Sequence, residues 1–125
     1  EAMAIVLVVE DDKLLQKALK KVLEDSGYEV MESTTAQEAF QVLENVRPGI
    51  ILMDIVIPGE IDGFQLLKEL KSDDRYSTIP VVMVTNLEQI NQMDRAIEIG
   101  AKDYVIKANT ELTQVVDLVD KYISS

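Results

Sequence analysis

Asp54 follows four apolar residues, Ile50-Ile51-Leu52-Met53, and precedes Ile55-Val56-Ile57-Pro58. A strand that is apolar at successive positions has both faces covered. Asp54 therefore reads as a carboxylate held at the carboxyl end of a buried central strand. Glu10 and Asp11 stand in the same relation to the apolar run Ala4–Val9, Thr85 to Ile79–Val84, and Lys107 to Tyr104–Ile106. Brought together, these side chains suit phosphoryl chemistry. Crowded carboxylates repel one another, and a divalent cation relieves the repulsion. An all-oxygen ligand set fits Mg²⁺, which takes one or two carboxylates plus phosphate oxygens and keeps several waters, with Mn²⁺ as the alternative. One carboxylate can serve as a nucleophile, as in aspartyl-phosphate formation. Thr85 offers a hydroxyl donor, and Lys107 a compact positive charge. Phosphoryl transfer needs mainly positioning and charge neutralisation, and this set can supply both. Each residue alone has a plainer use, as a helix N-cap, a turn-forming aspartate, a strand-end threonine or a surface lysine. Only their joint placement separates chemistry from structure.

That placement follows from the order of elements. After the first strand, Leu14, Leu15, Ala18, Leu19, Val22 and Leu23 recur at helical spacing, with Asp12 as N-cap and Gly27 as stop. Tyr28–Ser33 alternates as a strand. Thr35 and Glu38 form a capping box for a second helix, with Ala36, Ala39, Phe40 and Leu43 on its inner side, and Pro48-Gly49 ends it. Asp62-Gly63 opens a third helix with Phe64, Leu67 and Leu70 inward, fading at Ser72-Asp73-Asp74-Arg75. Leu87, Ile90, Met93 and Ile97 mark a fourth helix that stops at Gly100. Thr110 is expected to cap a fifth, carrying Leu112, Val115, Val116, Val119 and Ile123. Five strands alternating with five helices predict a parallel sheet built from βαβ units, and right-handed crossovers leave few topologies. The expected fold is α/β, a flavodoxin-like doubly wound sheet in the order 2-1-3-4-5. Its first and third strands lie side by side at the switch point, where ligands bind.

The bulk numbers narrow the function further. A chain of 125 residues is the size of one domain, and residues 1–125 read as one, with 1–3 carrying no part of the functional argument. Hydrophobic residues make up 47%, enough for a core. There is no cysteine, so neither a disulfide framework nor a thiolate metal site exists, which fits a cytoplasmic setting. No apolar run approaches the roughly 18 residues of a membrane span. A net charge of −11 argues against direct nucleic-acid binding, which requires a basic face. The absence of histidine removes the commonest general base.

The segments VVEDD, ILMDIVIP, DGFQLL, VVMVTN and GAKDYVIK, in this order and spacing, resemble the receiver domain of two-component response regulators, the family that includes the chemotaxis regulator. The resemblance covers nearly the whole chain. It implies that Asp54 accepts a phosphoryl group from a phosphohistidine on a sensor histidine kinase or phosphotransfer protein. Glu10 and Asp11 match the acidic pair that holds Mg²⁺, and Val56 would add its backbone carbonyl. Thr85 matches the hydroxyl residue that moves toward the phosphoryl group, and Lys107 the lysine that pairs with acceptor and phosphate. Tyr104 matches the aromatic whose burial accompanies activation. The fourth helix, last strand and last helix would form the output face for a downstream protein or effector domain. The chain's end after the last helix fits a stand-alone regulator or a receiver taken from a longer protein.

Departures from the family pattern set further expectations. Ala108 follows Lys107 where proline, in a cis bond, is usual. A cis bond before a non-proline costs about 2.5–4 kcal/mol, so trans is expected. Asn86 replaces a small residue after Thr85, and should either narrow access to the acceptor or cap the fourth helix. The loop Gly59-Glu60-Ile61-Asp62 carries one residue more than usual and should bulge near the third helix, as a candidate partner contact or as ordinary loop variation. Val56 and Leu87 sit where the family has polar groups that orient the hydrolytic water. Aliphatic side chains cannot hydrogen-bond a water, which predicts slow loss of the phosphate. The domain is thus expected to catalyse only its own phosphorylation and slow dephosphorylation. The alternatives are a phosphorylation-independent interaction module and a phosphatase. Against the phosphatase, Val56 cannot be the second acid that such enzymes commonly place two residues after the nucleophile.

Overall fold

The computed structural model describes residues 3–123; Glu1, Ala2, Ser124 and Ser125 lie outside them. Five parallel strands, β1 (Ile5–Val9), β2 (Glu29–Ser33), β3 (Ile50–Met53), β4 (Val81–Thr85) and β5 (Asp103–Ile106), form one sheet in the order β2-β1-β3-β4-β5. Helices α1 (Lys13–Asp25), α2 (Ala36–Asn45), α3 (Gly63–Ser72), α4 (Ile90–Ile99) and α5 (Leu112–Ile123) alternate with them. This is the flavodoxin-like arrangement expected from the sequence.

The unbroken apolar strands have a direct physical cause. Leu7, Val9, Ile51, Met53, Val81 and Met83 face α2, α3 and α4. Val6, Val8, Ile50, Leu52, Val82 and Val84, the alternate positions, face α1 and α5. Side chains alternate across a strand, so a sheet with helices on both faces needs apolar residues at every position. Each such side chain gains roughly 1.5–3 kcal/mol from full burial, and most of these are below 2% exposed. At the switch point Val9 pairs with both Ser33 and Met53. The ladder continues one rung further, with the Glu10 N–H on Ser33 O at 3.0 Å and the Asp54 N–H on Val9 O at 3.0 Å. There the backbones diverge and leave their carboxylates at the carboxyl edge.

Helix starts follow the expected capping chemistry in part. Asp12 accepts from the N–H groups of Leu14 and Leu15, Thr35 from Glu38 and Asp62 from Gln65. The reciprocal arm of the Thr35 box is displaced: Glu38 Oε1 accepts from the N–H and hydroxyl of Thr34. For α5 the boundary residue is Glu111 rather than Thr110. The Glu111 carbonyl accepts the first helical bonds, and its N–H donates to Gln114 Oε1 at 2.7 Å.

Two helices, α1 and α4, differ from the apolar pattern. On α1, Leu14 is 82% exposed and Gln16 takes the buried line with Leu19 and Leu23. The helix is rotated to let the Gln16 amide reach two backbone carbonyls at the switch point. The fourth helix begins at Ile90, so Leu87 lies in the preceding loop, packed against the core. The inward line of α4 is Met93, Ala96 and Ile99, while Ile90 and Ile97 face outward.

Gly63 fixes α3 against β3. A Cβ there would overlap the Asp54 carbonyl oxygen and lie 2.6 Å from Ile55 Cα. Its N–H donates to Ile55 O at 2.8 Å. Overpacking of this kind costs about 1–3 kcal/mol. Gly63→Ala should lower the urea-unfolding free energy by that amount, and an unchanged midpoint would show that α3 can start elsewhere.

Candidate functional site

The residues expected to take part sit at the carboxyl edge, except Tyr104, which lies within β5 and does not line the cleft. Glu10, Asp11, Asp12, Asp54, Val56, Thr85, Asn86, Leu87 and Lys107 line one cleft of about 280 Å³. A larger groove, about 660 Å³, lies between α2 and the 58–61 loop. The carboxylate cluster and Lys107 lie in the smaller cleft, which is therefore the candidate site. The loop from Asp54 to Asp62 is irregular, and Gly59 takes a left-handed conformation (φ +107°) that accommodates its length.

The carboxylates of Glu10, Asp11 and Asp54 can each present an oxygen within 4.8 Å of the others. Glu10 and Asp54 are buried, and Asp11 is exposed at the rim. Lys107 answers this charge. Its Nζ lies 2.7 Å from Asp54 Oδ2 and 2.6 Å from Glu10 Oε1. Glu10 Oε2 accepts from the Asp12 N–H at 3.0 Å, and Asp54 Oδ1 from the Val56 N–H at 3.3 Å.

These contacts explain the protonation equilibria. Burial pushes the Glu10 carboxyl up, and the bonds from Lys107 and the Asp12 N–H offset this only in part. For Lys107, burial acts downward, but hydrogen bonds to Asp54 and Glu10 outweigh it and the ammonium is held above its ordinary range. The lysine therefore gains from the cluster while Glu10 is held at a cost.

Thr85 is buried beside Asp54's strand, and its Oγ1 accepts a long contact, 3.4 Å, from the Leu87 N–H. The Tyr104 ring is buried and its hydroxyl donates to Leu87 O at 2.7 Å. The Leu87 residue thus ties Thr85 to Tyr104. Burial and then the Asp54 charge raise the Tyr104 phenol. The Val56 side chain is 61% exposed at the mouth and Leu87 is half-buried. Asn86 does not cap α4. Gln89 holds the N-cap position without a side-chain bond, and Asn86 Oδ1 accepts from the Ala108 N–H at 3.0 Å. Lys107 opens a single 3₁₀ turn, Lys107–Asn109, which strand periodicity did not predict. Peptide bonds among the described residues are trans, including Lys107–Ala108.

Two supporting residues escaped the sequence reading. Gln16, 5% exposed, donates from Nε2 to Glu10 O at 3.0 Å and Ser33 O at 3.2 Å, fixing the point where β1 and β2 end. Its signal was a glutamine three and seven residues before Leu19 and Leu23, on a line that is otherwise apolar. Gly63 is the other, and only the close approach of two backbones reveals its role.

A doubly wound parallel sheet with an acidic, lysine-bridged cleft at its switch point defines the class. The chain belongs to the response regulator receiver domain family of two-component signalling, whose profile matches residues 6–119. It is 36% identical over 102 residues to the polar-differentiation response regulator DivK of Brucella anthropi, covering 82% of this chain and 82% of that protein. It spans less than half the length of several other relatives, named as transcriptional regulators. Among solved structures, the receiver domain of a signal transduction histidine kinase from Syntrophus aciditrophicus is 31% identical, with a TM-score of 0.87, covering 97% of this chain and 90% of that one. The receiver domain of the sensor histidine kinase PA1611 of Pseudomonas aeruginosa shares the fold at 23% identity and a TM-score of 0.87, covering 99% of this chain and 100% of that one. That structure holds a magnesium ion in its active-site cleft.

The raised Glu10 carboxyl has a pH signature. A group that binds its proton more tightly when folded contributes stability below its unfolded value, near 4.5, and loses it as pH rises through the folded value. In chelator, the stability of the wild type relative to Glu10→Gln should therefore fall as pH rises from 4.5 toward neutrality. A difference that grows with pH would show that Lys107, not burial, dominates the Glu10 carboxyl.

Proposed function

We propose that Asp54 is the phosphoacceptor of this receiver domain, supplied by the phosphohistidine of a sensor histidine kinase or a phosphotransfer protein. The observation that carries the reading is the Lys107 ammonium bridging Glu10 and Asp54, at 2.6 and 2.7 Å, in a cluster of three carboxylates. The cluster calls for positive charge, and its donors are hard oxygens that suit Mg²⁺. Glu10, Asp11, Asp54 and the Val56 carbonyl would hold the ion, which when bound neutralises charge on the phosphoryl oxygens.

The chain's own groups do the rest. A carboxylate oxygen of Asp54 attacks phosphorus. The new P–O bond forms as the P–N bond breaks, and its electron pair returns to the imidazole nitrogen of the donor. Lys107 stays paired with the growing charge. Thr85 can release its long contact with Leu87 and turn its hydroxyl toward the new dianion. Because Leu87 also holds Tyr104, loss of the Thr85 contact frees Leu87, and with it Tyr104 and the loop into α4, to shift. One added dianion thus biases a two-state equilibrium. The output face is α4, β5 and α5, where Ile90 is 75% and Ile97 48% exposed and available to a downstream protein or effector domain. The domain acts on itself and is not a turnover enzyme. We place it in the cytoplasm; no helix among the described residues is long and apolar enough to cross a membrane.

Incubation with Mg²⁺ and acetyl phosphate, read by intact mass, should give a phosphoryl adduct on wild type and none on Asp54→Ala. No adduct on wild type would favour a phosphorylation-independent module, and rapid turnover of phosphomonoesters would favour an enzyme. The lifetime is a separate expectation. Val56→Asn places a hydrogen-bonding group at the mouth, and one such bond is worth about 1 kcal/mol. The adduct should then hydrolyse several-fold faster, up to about tenfold. An unchanged half-life would remove Val56 from lifetime control.

A further inference from the structure

We propose that Asn86 is a positioning residue, whose side-chain oxygen clamps the loop after β5 and thereby holds the Lys107 ammonium on Asp54. Asn86 directly follows Thr85, and Ala108 directly follows Lys107. The β4–β5 ladder ends at the pair Thr85↔Ile106. One residue beyond on β4 and two beyond on β5, Asn86 Oδ1 accepts from the Ala108 N–H at 3.0 Å. The donor is a backbone N–H, so the acceptor must be the amide oxygen. The side chain supplies a rung where backbone pairing stops.

In this chain, where Ala108 supplies an N–H that a proline would lack, the rung sets the lysine. Lys107 follows β5, and Asp54 follows β3, with β4 between them. Two strand spacings are roughly 9–10 Å, and Glu10 on β1 lies one strand further. A lysine stem spans such a distance only when its backbone is set at the right place and pitch. The 3₁₀ turn that begins at Lys107 closes with a long backbone bond, Thr110 N–H to Lys107 O at 3.3 Å. Ala108 is exposed and packs little, so its N–H is the handle by which the neighbouring loop can hold the turn. The same bond joins the backbones that carry Thr85 and Lys107, the two groups assigned to the phosphoryl oxygens. The proposal rests on that assignment for its functional meaning, but the clamp itself is testable without phosphate.

The test uses ¹⁵N NMR of the whole chain without metal, comparing wild type, Asn86→Ala, Ala108→Pro and the double variant. In wild type the paired Lys107 ammonium should give a slowly exchanging signal. Asn86→Ala should speed that exchange several-fold, up to about tenfold, the worth of one hydrogen bond, with an unchanged thermal midpoint as the control for folding. Ala108→Pro removes the donor, so adding Asn86→Ala in that background should change nothing more. An unmoved Lys107 signal in Asn86→Ala overturns the clamp. So does an equal effect of Asn86→Ala in both backgrounds, since Asn86 would then act by another route. Beryllofluoride with Mg²⁺ gives the functional arm, where Asn86→Ala should bind several-fold more weakly. If the Lys107 signal responds as expected but beryllofluoride binds neither protein, the clamp stands and the phosphoacceptor reading falls.

Discussion

The ammonium of Lys107, shared between Glu10 and Asp54, is the contact on which the carboxyl edge depends. Topology forces the problem that it solves. Placing β1 beside β3 brings two acid-terminated strands together, and the buried ladder leaves Glu10 and Asp54 little water. Burying charges is costly unless they are paired and hydrogen-bonded. The lysine arrives from β5, on the other side of β4, so part of the negative charge at the centre of the sheet is offset from its edge strand. That explains why the loops after β4 and β5 carry so many of the specific contacts, while the strands need only be apolar.

The architecture was legible because both faces of the sheet are covered. Continuous runs such as Ile50–Met53 have few other uses in a chain of this size, and alternation with amphipathic helices fixed the class. The acids, threonine and lysine could be placed because each terminates such a run. What periodicity could not supply was the rotation of individual helices. Leu14 and Gln16 exchanged places because a hydrogen-bond demand at the switch point outweighed one apolar contact. On α4 the apolar residues Ile90 and Ile97 face out, a placement that propensity cannot distinguish from a core stripe.

The loops were the least legible part, for a related reason. Asn86 and Ala108 are more than twenty residues apart, and each alone reads as a deviation. Only their hydrogen bond shows that one deviation answers the other. Thr110 and Glu111 make the same point on a smaller scale. Both precede a helix, and the choice of boundary depends on Gln114 reaching back. Short-range signals name candidates at a loop, and the tertiary partner selects among them.

The contact between Gly63 and the Asp54 carbonyl has a mechanical meaning for the domain as a whole. Helix α3 is seated directly on the Asp54 backbone, and β3 is flanked on both sides by paired strands. Asp54 therefore sits on a fixed abutment. Under the proposed function, charge added to its carboxylate would do work on the parts that are not braced, the segments leaving β4 and β5. The direction of any structural response is thus set before a partner arrives, away from the sheet's centre and toward α4.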